Sequence, residues 1–414
     1  MSALLRIAAA LLILTAPAAL AVENPSFSPA GPDADAYGAA AGYPVGRRGA
    51  REQRVLVGTF SHFDRIYDSR PVARAPVASP LKRTDHGVTL RYRYERRDRS
   101  IEDYLAEHPV TGFLIAKGDT ILDERYQYGR TDRDRFTSQS MAKTITGMLV
   151  GIAVSEGAIR SIDEPAAAYV PGLAGTEYGA TPIRALLHMA SGVAFREDYG
   201  GADDIARMGR ALFGKAPPDP VATVAQFNTR DAPPGTRFRY ASIETEILGL
   251  ILRNATGMPV ADYLRTRIWQ PMGAESDATW VVDSAGQEAT YCCFNAVLRD
   301  YARFALLLAH DGAWQDRQII PRQWLLDATT VHAGEEYLAP GTATSYSGYG
   351  YQVWLLPGGR RMFALRGVYG QVIFVDPASK LVLVHTAARR VPANDPAARE
   401  LPALWSALVE RFGN

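Results

Sequence analysis

The chain has almost no cysteine: of 414 residues only Cys292 and Cys293 carry a thiol, and they are adjacent. Neighbouring thiols cannot staple distant segments or supply the ligands of a zinc site, which excludes a disulfide scaffold and a structural zinc. A vicinal disulfide and a pair of small buried hydrophobes both remain open, and the burial habit of cysteine favours the inert, buried pair. An excess of either charge is also lacking. The 45 Lys and Arg against 44 Asp and Glu leave a formal net charge of +1, so nothing argues for nucleic acid or an anionic surface as partner. The 7 histidines are scattered, with no His-x-x-x-His pair, and give no support to a metal site. There is no Gly-x-Ser-x-Gly elbow, and His188 sits in an apolar helix end as a structural residue, which removes Ser-His-Asp chemistry. Past the N-terminus no run approaches about 18 apolar residues, so no later membrane span is expected. No internal repeat is visible.

What is present describes an ordinary globular chain, 47% hydrophobic and 21% charged, long enough for one large core or two lobes. The first residues read as an export signal over 1–21. Arg6 supplies the charge, Ile7 to Leu14 the short apolar run, and Ala19-Leu20-Ala21 the small-x-small cleavage site. A mature chain would start near Val22, periplasmic or secreted, with no cysteine there to carry a lipid.

The most informative stretch is Ser140-Met-Ala-Lys143. Residues three apart share a helix face, so Lys143 can reach back to the Ser140 oxygen. A serine hydroxyl needs a base before it attacks, and a lysine in an apolar site can lose its charge and serve as one. The helix behind it has Ile145, Met148, Leu149 and Ile152 at the spacing of a buried face, with Gly147 and Gly151 allowing close packing. Lys143 is therefore expected in the interior. Ser140, at the helix start, has a free backbone N–H suited to an oxyanion hole.

Composition divides the rest of the chain. Residues 22–53, rich in Ala, Gly and Pro, read as a flexible lead-in, and 54–104 as an arm laid over the body. Val88 to Tyr94 alternates as a strand, and its arginines, with Arg96, Arg97 and Arg99, read as a solvated basic face. Gly112 to Tyr128 predicts two strands around a glycine turn. A helical pattern fills about 156–340. Tyr349–Trp354, Arg361–Leu365, Gln371–Asp376 and Leu381–His385 then predict four strands, and Pro396 to Phe412 a closing amphipathic helix. The fold class this predicts is α+β: a central antiparallel sheet from 105–155 and 341–414, flanked by helices, with an inserted mostly helical lobe and a cleft between them.

Two more pieces suit that cleft. Tyr240-Ala-Ser242 joins an extended segment to an apolar helix, where a tyrosine can relay protons and a cationic neighbour would lower its pKa. Gly367-Val-Tyr-Gly-Gln371 lies between late strands, where glycine lets backbone approach a ligand and an N–H can complete an oxyanion hole.

Ser140-x-x-Lys143, Tyr240-x-Ser242 and the glycine-bearing late strand, in this order, resemble the serine β-lactamase and penicillin-binding superfamily, in its class C-like branch. Leu187-His-Met-Ala-Ser-Gly192, Glu197-Asp-Tyr199, Ile268-Trp-Gln-Pro-Met-Gly273 and Arg299-Asp-Tyr-Ala-Arg-Phe304 are similar to the 6-aminohexanoate-dimer hydrolase group within it. The resemblance implies Ser140 as acyl-accepting nucleophile, Lys143 as proton acceptor and Tyr240 as proton relay, with the N–H groups of Ser140 and Val368 holding the oxyanion. It implies Tyr199, Ser242, Arg366 and Gly367 at the substrate, and Asp203 or Asp204 as a carboxylate for a substrate amine. No cofactor or metal is implied, and the partner is a small amide or ester. Two departures weaken β-lactam turnover: Leu365 stands where a Lys or His grips a carboxylate, and Ser242 where class C enzymes have Asn. Arg366 either replaces that cation or points to solvent. An alternative is a penicillin-binding-like module that holds a cell-wall fragment or partner without turnover, but a pure binder has no need of Ser140, Lys143 and Tyr240 together.

Overall fold

The computed structural model describes residues 25–214, 219–393 and 395–413. The export signal read over 1–21 lies outside the described residues. Strand β1 (Ser26–Phe27) is followed by helix α1 (Gln53–Ser61), β2 (Ser69–Val72) and β3 (Lys82–Arg83). The hairpin β4 (Arg91–Tyr94) and β5 (Arg97–Ser100) runs into α2 (Ile101–Glu107), whose start is fixed by a capping box between Ser100 and Asp103. Next come β6 (Val110–Lys117), β7 (Thr120–Tyr126), β8 (Phe136–Thr137) and α3 (Ala142–Ser155). The middle of the chain holds α4 (Ile183–Leu187), α5 (Asp204–Leu212), α6 (Pro220–Ala225), α7 (Ser242–Thr256) and α8 (Val260–Leu264). Beyond them lie β9 (Ala278–Val281), β10 (Phe294–Ala296), α9 (Leu298–Ala309), the small hairpin β11 (Ala313–Trp314) and β12 (Arg317–Gln318), and α10 (Arg322–Ala328). The chain ends in β13 (Gly348–Tyr349), β14 (Trp354–Leu355), β15 (Phe363–Gly367), β16 (Gln371–Asp376), β17 (Leu381–Ala387) and α11 (Glu400–Phe412).

The main sheet runs β1-β7-β6-β17-β16-β15-β14-β13, with β3 also on β7. It is antiparallel from β7 to β13, while β1 and β3 join β7 in parallel and make the sheet mixed at that edge. Successive side chains of a strand face opposite ways, and the sequence uses this fully. Leu114, Ala116, Leu365, Ile373, Val375, Val382 and Val384 join the core that holds α3, α7 and α9. Phe113, Ile115, Ala364, Phe374, Leu381 and Leu383 face α2 and α11 instead, where Phe374 stacks on Trp405 at 5.2 Å. The sheet is buried on both faces, and helices flank it as the sequence predicts. This is the β-lactamase-like α+β fold.

Four expectations are corrected. The lead-in 22–53 is, from Pro25 on, laid against the sheet: Tyr37 is buried and donates to the Ala388 carbonyl at 2.8 Å, and Gly31 lies under the Tyr128 ring. The basic face is not wholly solvated, because Arg99 is buried between Glu400 (2.9 Å) and Glu107 (2.6 Å). Within the helical stretch 156–340, β9 and β10 form a second sheet, ordered β2-β9-β10-β8. Tyr349–Trp354 is two short strands: Gln352 takes φ 60° and turns inward, donating to the Leu186 carbonyl at 2.9 Å and accepting from Thr245 Oγ1 at 2.6 Å. Among the described residues no helix is long and apolar enough to cross a membrane.

Candidate active site

Ser140 lies in the 3-10 turn Gln139–Met141 that feeds α3, and Lys143 follows one turn later. The helix is interior because neighbours press on both sides. Ile145, Met148, Leu149 and Ile152 enter the main core, and a Cβ on Gly151 would meet the Trp324 ring of α10 at 2.3 Å. Lys143 is consequently 2% exposed.

Its amine has three polar neighbours. Nζ lies 3.1 Å from Ser140 Oγ and donates to Ser242 Oγ at 2.9 Å and to the Tyr291 carbonyl at 2.8 Å. Ser242 gives its own hydroxyl proton to Glu197 Oε1 at 2.7 Å, so toward Lys143 it can only accept. A neutral amine has two N–H bonds and one lone pair. With both N–H bonds taken, the lone pair is left for the Ser140 hydroxyl. Burial lowers the Lys143 pKa to about 8, with the Glu197 carboxylate pulling the other way. A neutral fraction is thus available near neutral pH.

Tyr240 enters from the residue pair before α7. Its ring stacks on Trp354 at 5.5 Å, Lys143 Nζ is 5.0 Å from the ring centroid, and with Ser140 it lines the same cavity. The expectation that a cation lowers its pKa is corrected: burial, then the Glu197 carboxylate, raise it, against a smaller opposing effect of the Ser140 side chain. Tyr240 therefore keeps its proton at rest and can donate it.

Strand β15 closes the other wall. A Cβ on Gly367 would sit 2.5 Å from the Ser138 carbonyl and 3.0 Å from Ser140 N, so only glycine lets β15 approach the serine turn this closely. Val368 follows at the rim. A cavity of about 690 Å³ opens here, lined by Ser140, Tyr199, Tyr240, Arg366, Gly367 and Val368 and continued by apolar wall including Trp354, Val372 and Phe374. Strand alternation turns Leu365 into the core and Arg366 to the opposite face, where its guanidinium lies 5.7 Å from the Trp354 ring and 6.0 Å from the Tyr346 ring. Arg366 is in the cavity wall and not in open solvent.

Three sequence-derived assignments move. Ser242, 2% exposed, has its hydroxyl committed to Lys143 and Glu197, so it holds the Lys143 amine and does not line the cavity. Asp203 caps α5, accepting from Ala206 N at 3.2 Å and Tyr199 N at 2.6 Å, and Asp204 accepts from Arg196 N at 2.8 Å; neither lines the cavity with Ser140. Cys292 and Cys293 are joined in a disulfide and are not inert thiols. The turn carrying them is tight: Trp280 Nε1 donates to the carbonyls of Ala289 (3.0 Å) and Cys292 (2.9 Å), and Cys293 takes φ 67°.

Glu197 is the residue the motifs missed. Besides Ser242 Oγ it accepts Ser242 N–H at 2.7 Å and the Tyr199 hydroxyl at 2.8 Å, tying the tyrosine in the cavity wall to the support of Lys143. Its only sequence signal is the Glu-x-Tyr spacing of Glu197-Asp-Tyr199. His188 does not line this cavity. It is buried, its ring tilted against Tyr351 at 4.8 Å, and its pKa is lowered by burial to about 3.

A serine beside a buried amine and a protonated phenol, at a cavity between a sheet and a helical region, defines a serine hydrolase site. The beta-lactamase family model matches residues 98–404, and the chain belongs to this family, within the serine β-lactamase and penicillin-binding superfamily. It is 26% identical over 334 residues to the 6-aminohexanoate-dimer hydrolase of Paenarthrobacter ureafaciens, covering 78% of this chain and 83% of that protein. A shorter match, 36% identical over 188 residues, is to penicillin-binding protein 4 of Amycolatopsis lactamdurans, covering 42% of this chain and 46% of that one. Among solved structures, a Bacillus anthracis protein provisionally described as a 6-aminohexanoate-dimer hydrolase superposes with a TM-score of 0.76 at 25% identity, covering 87% of this chain and 96% of its own.

Proposed function

We propose that this chain is an exported hydrolase that cleaves a small amide or ester through an acyl-enzyme on Ser140. The observation that carries this is the Lys143 amine, 3.1 Å from Ser140 Oγ with its remaining hydrogen-bonding capacity committed elsewhere. Lys143 takes the Ser140 proton as Oγ attacks the carbonyl carbon. The oxyanion is held by the N–H groups of Ser140 and Val368, which the close approach of Gly367 supports. Tyr240 then gives its proton to the departing nitrogen or oxygen and recovers one from Lys143. Water enters by the reverse relay and releases the acid. Tyr199 and Arg366 contact the substrate from the cavity wall. A 6-aminohexanoate dimer contains a linear amide, and similarity to proteins named for its hydrolysis favours linear amides over β-lactams.

The test is labelling by a fluorophosphonate probe, with a panel of aryl esters, linear amides, D-amino peptides and nitrocefin. Wild type should be labelled and hydrolyse esters or amides faster than nitrocefin. Ser140→Ala should do neither, and labelling of that variant at the wild-type rate would refute the nucleophile. Export belongs to the same proposal, supported by a disulfide suited to an oxidising compartment. Recovered protein should begin near Val22, and one retaining Met1 would speak against it.

A further inference from the structure

The disulfide stands between the contacts that hold both members of the reactive pair. On one side of it, the Tyr291 carbonyl accepts from Lys143 Nζ at 2.8 Å. On the other, Ser138 N–H donates to the Phe294 carbonyl at 2.7 Å, and Phe294 N–H donates to Ser138 Oγ at 3.1 Å. Ser138 opens the turn that carries Ser140. Segment 291–294 thus touches the base directly and the nucleophile through one short turn, with the Cys292–Cys293 bond at its centre. Nothing in the acyl-transfer scheme above uses the sulfur atoms.

The backbone of the pair is held in an unusual state. Cys293 takes φ 67°, a left-handed conformation that non-glycine residues rarely adopt. Its carbonyl accepts from Val281 N–H at 3.2 Å and Asn295 Nδ2 at 3.0 Å. The covalent ring fixes the step from Tyr291 to Phe294, and so fixes where the Tyr291 carbonyl points. We infer that the Cys292–Cys293 disulfide is a positioning element for Lys143, and that its reduction by a dithiol lowers the rate of Ser140 acylation. This rests on the acyl-enzyme reading above.

The redox step is a thiol–disulfide exchange. Cys293 is buried and Cys292 partly exposed, so Cys292 Sγ is the point of attack. A thiolate of the dithiol bonds to Cys292 Sγ, the Cys292–Cys293 bond breaks, and the electron pair leaves on Cys293, which takes a proton. The second thiolate of the reagent attacks the reagent sulfur of the mixed disulfide, releasing Cys292 as a thiol and the reagent as a cyclic disulfide. The protein gains two electrons and two protons, and Ser140 and Lys143 are chemically unchanged. Without the ring, Cys293 can leave its left-handed conformation and the Tyr291 carbonyl can move off Lys143. The lone pair is then no longer aimed at Ser140, and a misplacement of about 1 Å costs on the order of 100-fold in rate.

The experiment compares oxidised and dithiothreitol-reduced wild type, reagent removed, by fluorophosphonate labelling rate and by aryl-ester kcat and KM. Circular dichroism confirms that both forms are folded at the assay temperature. Reduction should lower labelling and kcat by about 10- to 100-fold with KM little changed, and reoxidation should restore both. The Cys292→Ser/Cys293→Ser double variant should match reduced wild type and ignore the dithiol. If that variant does not fold, the reversible change in wild type decides. Labelling of the oxidised protein that is lost in Ser140→Ala establishes the acyl-enzyme reading by itself. With that in hand, equal rates before and after reduction overturn the positioning role, as does a reduced form that only melts earlier. No labelling in either form overturns both readings.

Discussion

Replacing Lys143 by methionine tests whether the buried amine is held as a base. Methionine keeps much of the length of lysine and removes its charge. In the folded chain the amine titrates at about 8, against 10.5 in the open. Between those values the unfolded chain binds more protons than the folded one, so wild-type stability rises with pH across that window, and the penalty for burying the charge is fully present below about pH 8. At about 1.4 kcal/mol per pH unit, the whole effect is about 3 kcal/mol. The variant lacks this titration. The lost bonds to Ser242 Oγ and the Tyr291 carbonyl, about 1 kcal/mol each, add an offset that does not change with pH. Urea unfolding of both proteins from pH 7 to 10.5 should therefore show the stability difference moving in favour of wild type by about 3 kcal/mol. A level difference across this window would refute the reading of Lys143 as an amine poised to lose its proton. Kinetics supply a second arm. The wild-type labelling rate should climb about tenfold per pH unit and level off above about 8, while Lys143→Met should be slower by about 10²- to 10⁴-fold, with no inflection there.

The neighbours of the pair give two further tests. The Glu197 carboxylate holds the Lys143 pKa up, so Glu197→Gln should move the inflection in the labelling profile to lower pH; an unmoved or raised inflection would separate Glu197 from the base. In Gly367→Ala the new methyl meets the Ser138 carbonyl at 2.5 Å, and backbone cannot yield cheaply. Stability should fall by about 1–3 kcal/mol, and labelling should fall further than in Ser242→Ala; wild-type labelling would mean that β15 does not shape the site.

The sheet was legible because both of its faces are buried in period 2. Alternating sets such as Phe113, Ile115 against Leu114, Ala116 leave a clear run, and the α11 pattern from Leu401 to Leu408 shows which face it covers. What escaped is structure held by side chains from far away. The lead-in is poor in large apolar residues, yet its tyrosines find Tyr128 and Ala388 only in three dimensions. Arg99 sits among arginines that are exposed, and its burial depends on Glu400, 301 positions later. The short strands β9 and β10 carry no length signal, being built by pairing with β2 and β8.

The same division governs the site. Ser140 and Lys143 are one turn apart, across the join of the 3-10 turn and α3, so spacing alone predicts their meeting, and they lie 3.1 Å apart. Which form of the amine is present does not follow from spacing. It depends on Ser242, Glu197 and Tyr291, which come from α7, a loop and the disulfide turn, and local sequence does not say that these converge. Tyr240 makes the point from the other side. A nearby lysine suggested a lowered pKa, but desolvation drives the amine toward neutrality and the phenol toward protonation together, and the charge that both feel is the Glu197 carboxylate. Burial acting on both groups therefore favours a neutral amine and a protonated phenol at one cavity, the division of labour that the proposed acyl transfer would use.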